Sequence, residues 1–243
     1  MIPQPESASP QSPTPGEPSF GYTDLLLFIG FCVPCLLIAT LLVRTAAFFL
    51  HTPKPAMLLL IQGVWYFLAF GSVAALLRLR YQQPFWRALG WRSISLQSSA
   101  GAVVAGPFLA LGLGMLGAAM HTPEIDLPFQ QMLGSTATTV LLGIVVVILG
   151  PVCEELAFRG FLMPLLVRSL GAAGGIVATG VIFGGIHGYE YEWSWRHMLL
   201  ISMVGCVFGW AKYKTQSTAT SALMHSTFNL TQFAAFLAQS RTL

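Results

Sequence analysis

Residues Leu25 to Leu50 contain a single charged side chain, Arg44, and that uninterrupted apolar length constrains the fold more than any other feature of the chain. A hydrocarbon core about 30 Å thick needs about 20 apolar residues of helix to cross it. Comparable stretches recur at Ala56 to Leu77, at Leu96 to Met120 and from Met132 onward. Only 9% of the residues are charged, against roughly a quarter in ordinary soluble domains, which excludes a soluble globular enzyme. The 24 glycines and 15 prolines follow no period, and so much apolar surface does not stay solvated, which excludes collagen-like and disordered classes. The expected fold is all-α, a polytopic transmembrane helix bundle of about seven to eight spans.

Beyond Cys153 the apolar run is interrupted by Glu154, Glu155 and Arg159, then resumes at Phe161 and reaches Leu170. Further spans are expected at Gly174 to Tyr189, Trp195 to Trp210 and Thr218 to Gln239. Residues 1–23 place Pro3, Pro5, Pro10, Pro13, Pro15 and Pro18 among Ser, Gln and Glu without Lys or Arg, the composition of a disordered tail and not of a signal peptide. The chain thus divides into a tail, 1–23, N-terminal transmembrane helices, 24–128, and a C-terminal helical core, 129–243. Arg78, Arg80, Arg87 and Arg92 cluster between the second and third spans, whereas His121 to Gln131 carries only Glu124 and Asp126. The excess of positive charge on the cytoplasmic side then sets the N-terminus, Arg168, Lys212 and Lys214 inside, and Tyr189 to Trp193 outside. Arg44 and Lys54 fall on the other side. No basic cluster is dense enough to track phosphates, so nucleic acid is not expected as a partner. Cys32 and Cys35 form a C-x-x-C in a run of Leu, Phe and Ile, and with Cys153 and Cys206 they read as helix-packing residues.

A charged side chain inside a bilayer costs several kcal/mol, roughly 2.5–3.5 by insertion scales, so adjacent Glu154 and Glu155 need a reason. On one helix from Val145 to Leu170, Glu154 stands about 21 Å above Arg168 at about 1.5 Å per residue. A reversal at Gly171 to Gly175 brings His187 to about the same height on the returning helix. His225 and Asn229, four apart, share a face of the last span about 10 to 17 Å above its start. Arg159 is one helical turn after Glu155 and pairs with it there, leaving Glu154 free to act as a general base. Gly180 and Gly184, and Gly205 and Gly209, have the spacing of close helix packing. Tyr189, Tyr191, Trp193 and Trp195 read as an interfacial aromatic belt, and His51, His121 and His197 as membrane-edge residues.

The motif E-E-L-A-F-R at Glu154 to Arg159, F-G-G-I-H at Phe183 to His187 and H-S-T-F-N at His225 to Asn229 resembles the CPBP family of intramembrane proteases. That family includes CAAX-prenyl endopeptidases and bacteriocin-processing relatives. The resemblance covers about residues 130 to 240 and implies that Glu154 and His187 activate a water while His225 and Asn229 stabilise the oxyanion. It assigns Glu155, Arg159 and Phe183 to supporting positions. Amide hydrolysis needs such a base and such donors whatever the family. No G-x-S-x-G or H-E-x-x-H is present, and Asp24 and Asp126 lie at span edges, which sets aside serine, the commonest zinc, and aspartyl designs.

The expected function is therefore an intramembrane endopeptidase acting on a membrane-associated protein or peptide, in a bacterial inner membrane with the N-terminus cytoplasmic and the site open to the inner face. The alternative is a non-catalytic membrane scaffold or immunity-type binding protein. No cofactor is favoured. Zinc held by Glu154, His187 and His225 stays open as the alternative, although an amide such as Asn229 suits an oxyanion better than zinc.

Overall fold

The structure, a computed structural model, describes residues 19–125 and 135–240. Among these the regular structure is entirely helical: α1 (Tyr22–Leu50), α2 (Lys54–Tyr81), a single turn α3 (Phe85–Ala88), α4 (Leu96–Ala119), α5 (Thr136–Ile144), α6 (Gly150–Glu155), α7 (Met163–Ile186), α8 (Trp195–Thr215) and α9 (Thr218–Ser240). The expectations for residues 1–18, for Met132 as a span start and for Asp126 lie outside the described residues. Four helical stretches are long and apolar enough to cross a membrane, namely α1, α2, α4 and the continuous run Thr136–Ile186. Their surfaces bear out the membrane assignment, with Leu26, Phe48, Phe67 and Phe108 turned outward where lipid would lie. At about 1.5 Å per residue α8 and α9 have the length of a span. Ser202, Lys212 and Lys214 on the first, and Ser221, His225 and Asn229 on the second, dilute their apolar character.

Helices α5, α6 and α7 are joined by two π-helical turns, Val145–Leu149 and Leu156–Leu162, one on each side of the Glu154–Glu155 pair. The cause is visible in the sequence. Pro151 and Pro164 each stand two residues past the end of a π-turn, and a proline inside a helix lacks its N–H and presses on the carbonyl four residues back. Widening the turn relieves that contact, and the Gly150 and Met163 amides bond five residues back, to Val145 and Phe158. The reversal expected at Gly171 to Gly175 occurs at Gly171, whose φ of 74° and ψ of 172° divide α7 into two legs. Only glycine adopts that backbone without strain.

Several bonds gather one end of the bundle. The Tyr22 hydroxyl donates to the Leu165 carbonyl and pairs with Ser169. Arg80 and Tyr81 both donate to the buried Asp24 carboxylate, at 2.8 and 2.6 Å. The Thr218 hydroxyl donates to the Leu89 carbonyl and that of Ser217 to the Arg92 carbonyl. This end therefore assembles Arg78, Arg80, Arg87, Arg92, Arg168, Lys212 and Lys214, the grouping that the charge pattern implied. At the opposite end Arg196 donates to the His121 carbonyl at 3.0 Å.

The second leg of α7 packs on α8 through the expected glycines. A Cβ on Gly180 would collide with the Ser202 carbonyl and Cys206, and one on Gly184 with the Met198 carbonyl and Ser202. Gly205 faces Gly180 in return, and Gly209 faces Ile176 and Met163. A further close approach, not anticipated from spacing, seats Gly106 of α4 against Met224, Thr227 and Phe228 of α9. All four cysteines are free, as helix-packing residues would be.

Candidate active site

A buried polar chain links three helical segments at mid-depth. Arg159 and Glu155 are both fully buried, and the Arg159 guanidinium donates to Glu155 Oε1 at 2.8 Å across one turn. A second guanidinium N–H donates to the Gly205 carbonyl of α8 at 2.7 Å. The glycines at 205 and 180 thus bring α8 near enough for its backbone to accept from the guanidinium, whose buried Nε has no hydrogen-bond partner among the described residues. The cation also lies 4.6 Å from the centre of the Phe183 ring and 5.5 Å from that of Phe208, a setting that aromatic faces make favourable for a desolvated charge.

Glu155 turns its remaining acceptors toward α9. Oε2 accepts from the Ser221 hydroxyl, and Oε1 accepts from His225 Nδ1 at 3.0 Å. A carboxylate only accepts, so His225 carries its proton on Nδ1 and presents Nε2 elsewhere. Nε2 points at Glu154, 3.9 Å from Oε2. The His225 ring is clamped by Phe208, stacked at 4.6 Å between centroids. Glu154 keeps 27% of its side chain exposed, whereas Glu155 keeps none, so the two adjacent carboxylates occupy different environments.

His187 closes the second leg of α7. Its Nδ1 donates to the Phe183 carbonyl at 2.7 Å, which leaves Nε2 as an acceptor. The Phe183 ring lies between the two imidazoles, 4.6 Å from His187 and 6.0 Å from His225, and spaces them. Asn229 is held by a consequence of Pro151. The Val146 carbonyl would bond the amide at residue 151, which proline lacks, while the Gly150 amide is taken by Val145. Asn229 Nδ2 fills the vacancy, donating to the Val146 carbonyl at 2.8 Å and keeping its second N–H free for another acceptor.

The site thus brings Glu154, Glu155, Arg159, Phe183 and His225 into direct contact, and sets His187 and Asn229 at its margins. Among the described residues no group of three His, Cys, Asp or Glu side chains is gathered in the arrangement of a metal site.

Residues outside the motifs also enter. Ser221 is four before His225 and eight before Asn229, so its place on the site face of α9 was legible from spacing alone. Tyr66, on α2, accepts from Gln62 at 3.1 Å, and its hydroxyl lies within reach of the Glu154 charge. A Gln and a Tyr one turn apart in an apolar span are a signal that a search for charged residues passes over. Glu190 and Tyr191, in the connection between α7 and α8, also feel the Glu154 charge. Burial and those two carboxylates push the Tyr191 phenol up to about 12, so it stays protonated and able to donate. Of the aromatic belt residues, Tyr191 stacks on His197, while Tyr189, Trp193 and Trp195 stand exposed.

A buried apolar cluster of Phe20, Val73, Leu77, Leu89, Leu156, Phe161 and Leu165 lies next to the segment that carries Arg159. The loop groups that interact with Glu154 belong to the end opposite the basic residues.

No curated protein and no solved structure matches the chain. A family model described as type II CAAX prenyl endopeptidase Rce1-like matches residues 136–231. That stretch begins at the first turn of α5 and ends just after Asn229, so it contains every residue of the buried chain on α6, α7, α8 and α9. Through residues 136–231 this integral membrane protein is similar to the Rce1-like, type II CAAX prenyl endopeptidases, a likeness that supports its placement with the CPBP family of membrane proteases.

Proposed function

We propose that the chain is an intramembrane endopeptidase in which Glu154 activates the attacking water. The observation that carries this reading is the contrast between two neighbouring carboxylates. Glu155 has its oxygens committed to Arg159, Ser221 and His225, while Glu154 has an accessible carboxylate with an imidazole Nε2 at 3.9 Å. A structural network would use both; here one is spent on holding the other's partner in place.

In this mechanism a water bound between Glu154 and His187 Nε2 attacks the scissile carbonyl carbon, and Glu154 takes its proton. The carbonyl oxygen, now negative, accepts from the free N–H of Asn229 and from His225, whose Nε2 takes its proton from solvent before the attack, so the water's proton stays on Glu154. Collapse breaks the carbon–nitrogen bond, and the proton returns from Glu154 to the departing amine. The substrate is a peptide bond of a membrane-associated protein or peptide, reached from the end that carries Tyr191 and Glu190. With the seven basic residues of the other end on the inside, the N-terminus is cytoplasmic in a bacterial inner membrane and the site opens outward.

The test is cleavage by purified protein in native lipid. Glu154→Gln and His187→Ala are each expected to abolish it while membrane insertion stays normal, and sequencing of the new termini identifies the substrate. Turnover at the wild-type rate by either variant overturns the assignment and leaves the scaffold reading. Activity that strong chelators remove and a divalent ion restores would replace the glutamate mechanism with a metal-dependent one.

A further inference from the structure

The basic end of the bundle contains a cavity of about 220 Å³ that is separate from the catalytic chain. Arg87 and Arg92 reach it from the α3 region, Lys212 from the last turn of α8, and Gln83 from the α2–α3 connection. Gly160 and Pro164 supply its wall. Among the described residues no carboxylate lines it. Among the described residues the ion pairs of Arg80 with Asp24 and of Arg159 with Glu155 are made elsewhere, and none involves Arg87, Arg92 or Lys212. Arg92 and Lys212 stand close enough to repel one another.

Three cations around one cavity with no counter-charge among the described residues raise the electrostatic energy of the empty protein, and a bound anion lowers it. The position of the cavity narrows the choice of anion. At this end of the bundle Trp86 and Leu96 are exposed, at 51% and 87%, and so is Trp210, at 54% and two residues before Lys212. Aromatic and apolar side chains at the end of a membrane bundle mark the depth of lipid headgroups, so this cavity is level with them. Guanidinium groups match phosphate oxygens in geometry, and Lys212 adds a point charge. A zwitterionic headgroup would bring its own cation toward Arg87 and Arg92 with no carboxylate to receive it.

We propose that this cavity binds the phosphate of an anionic headgroup through Arg87, Arg92 and Lys212. The source is a lipid of the basic leaflet, whose phosphate enters sideways while its acyl chains stay along α4 and α8. Because the wall at Gly160 belongs to the π-turn that carries Arg159, an occupied cavity steadies the segment bearing the buried ion pair.

The full chain in neutral detergent micelles is titrated with phosphatidylglycerol, with phosphatidylcholine, and with inorganic phosphate. Retained lipid is counted by native mass spectrometry, and thermal unfolding is followed in parallel. Wild-type protein is expected to retain phosphatidylglycerol selectively and to unfold at a higher temperature with it. Each of Arg87→Gln, Arg92→Gln and Lys212→Gln is expected to weaken retention about fivefold, since a cation near an anionic surface contributes about that factor. The pair Arg78→Gln and Lys214→Gln removes the same kind of charge from the same end but outside the cavity, and is expected to change retention less than about twofold. Equal weakening by that pair, equal retention of phosphatidylcholine, or unchanged retention by the triple variant would each overturn the site. Displacement of the lipid by inorganic phosphate at matched concentration would uphold the phosphate site and assign it to a soluble anion. The side chains of Arg87 and Arg92 are exposed, so those single variants keep the test decisive where the triple variant fails to insert.

Discussion

Arg159→Met tests whether the buried pair braces the site or merely fills space. The substitution keeps most of the side-chain length but removes the donors to Glu155 at 2.8 Å and to the Gly205 carbonyl at 2.7 Å. Glu155 is then a fully buried carboxylate with only Ser221 and His225 as partners. Removing one member of a buried pair typically costs about 3–5 kcal/mol, because the other charge is left uncompensated, and the same loss is expected here. Replacing both members by apolar groups is often nearly neutral, so Glu155→Leu combined with Arg159→Met is expected to recover most of that stability. It should recover no activity, since His225 Nδ1 has lost the acceptor that fixes its tautomer and aims Nε2 at Glu154. Unfolding by SDS in mixed micelles, followed by circular dichroism, reads the first quantity, and peptide cleavage reads the second. A single variant destabilised by less than about 1 kcal/mol, or a double variant that cleaves like wild type, would refute the reasoning.

Other expectations follow from the same contacts. Asn229→Ala removes one donor to the developing oxyanion and should lower kcat by about 10² to 10³ with little change in KM. Pro151→Ala supplies the N–H that the Val146 carbonyl lacks, competes with Asn229 for it, and should lower kcat while stability holds or rises; steady-state kinetics beside a melting curve separates the two effects. Gly184→Leu forces a side chain against the Met198 carbonyl and should cost about 1–3 kcal/mol, whereas Gly112→Ala, with open space around it, should be neutral or stabilising in the same unfolding assay. In a background lacking the native cysteines, Ser93→Cys should label from the cytoplasm and Thr122→Cys from outside; the reverse pattern would invert the topology and leave the catalytic chain untouched.

The membrane class, the all-helical architecture and the motif residues were legible because they depend on local properties. Apolar length fixes the long helices whatever their neighbours do, and four-residue spacing fixes that Glu155 meets Arg159 and that Ser221, His225 and Asn229 share a face. Even the π-turns were written locally, in the prolines at 151 and 164. The reversal was marked by a glycine at 171 that alone tolerates its backbone angles.

What only the tertiary structure decided are relations between helices that no spacing encodes. Glu155, not Glu154, receives His225 Nδ1, and Asn229 rests on a carbonyl freed on another helix. Tyr66 reaches the site from a span in the other half of the chain. The apolar cluster around Phe161 draws its members from the segment just before α1, from α2 and from the π-turn, which no local pattern joins. The physical reason is common to all of these. A sequence specifies the face a residue occupies on its own helix, whereas the rotation and depth at which two helices meet are set by side chains and glycines contributed by both, and those become a single geometry only when the whole bundle packs.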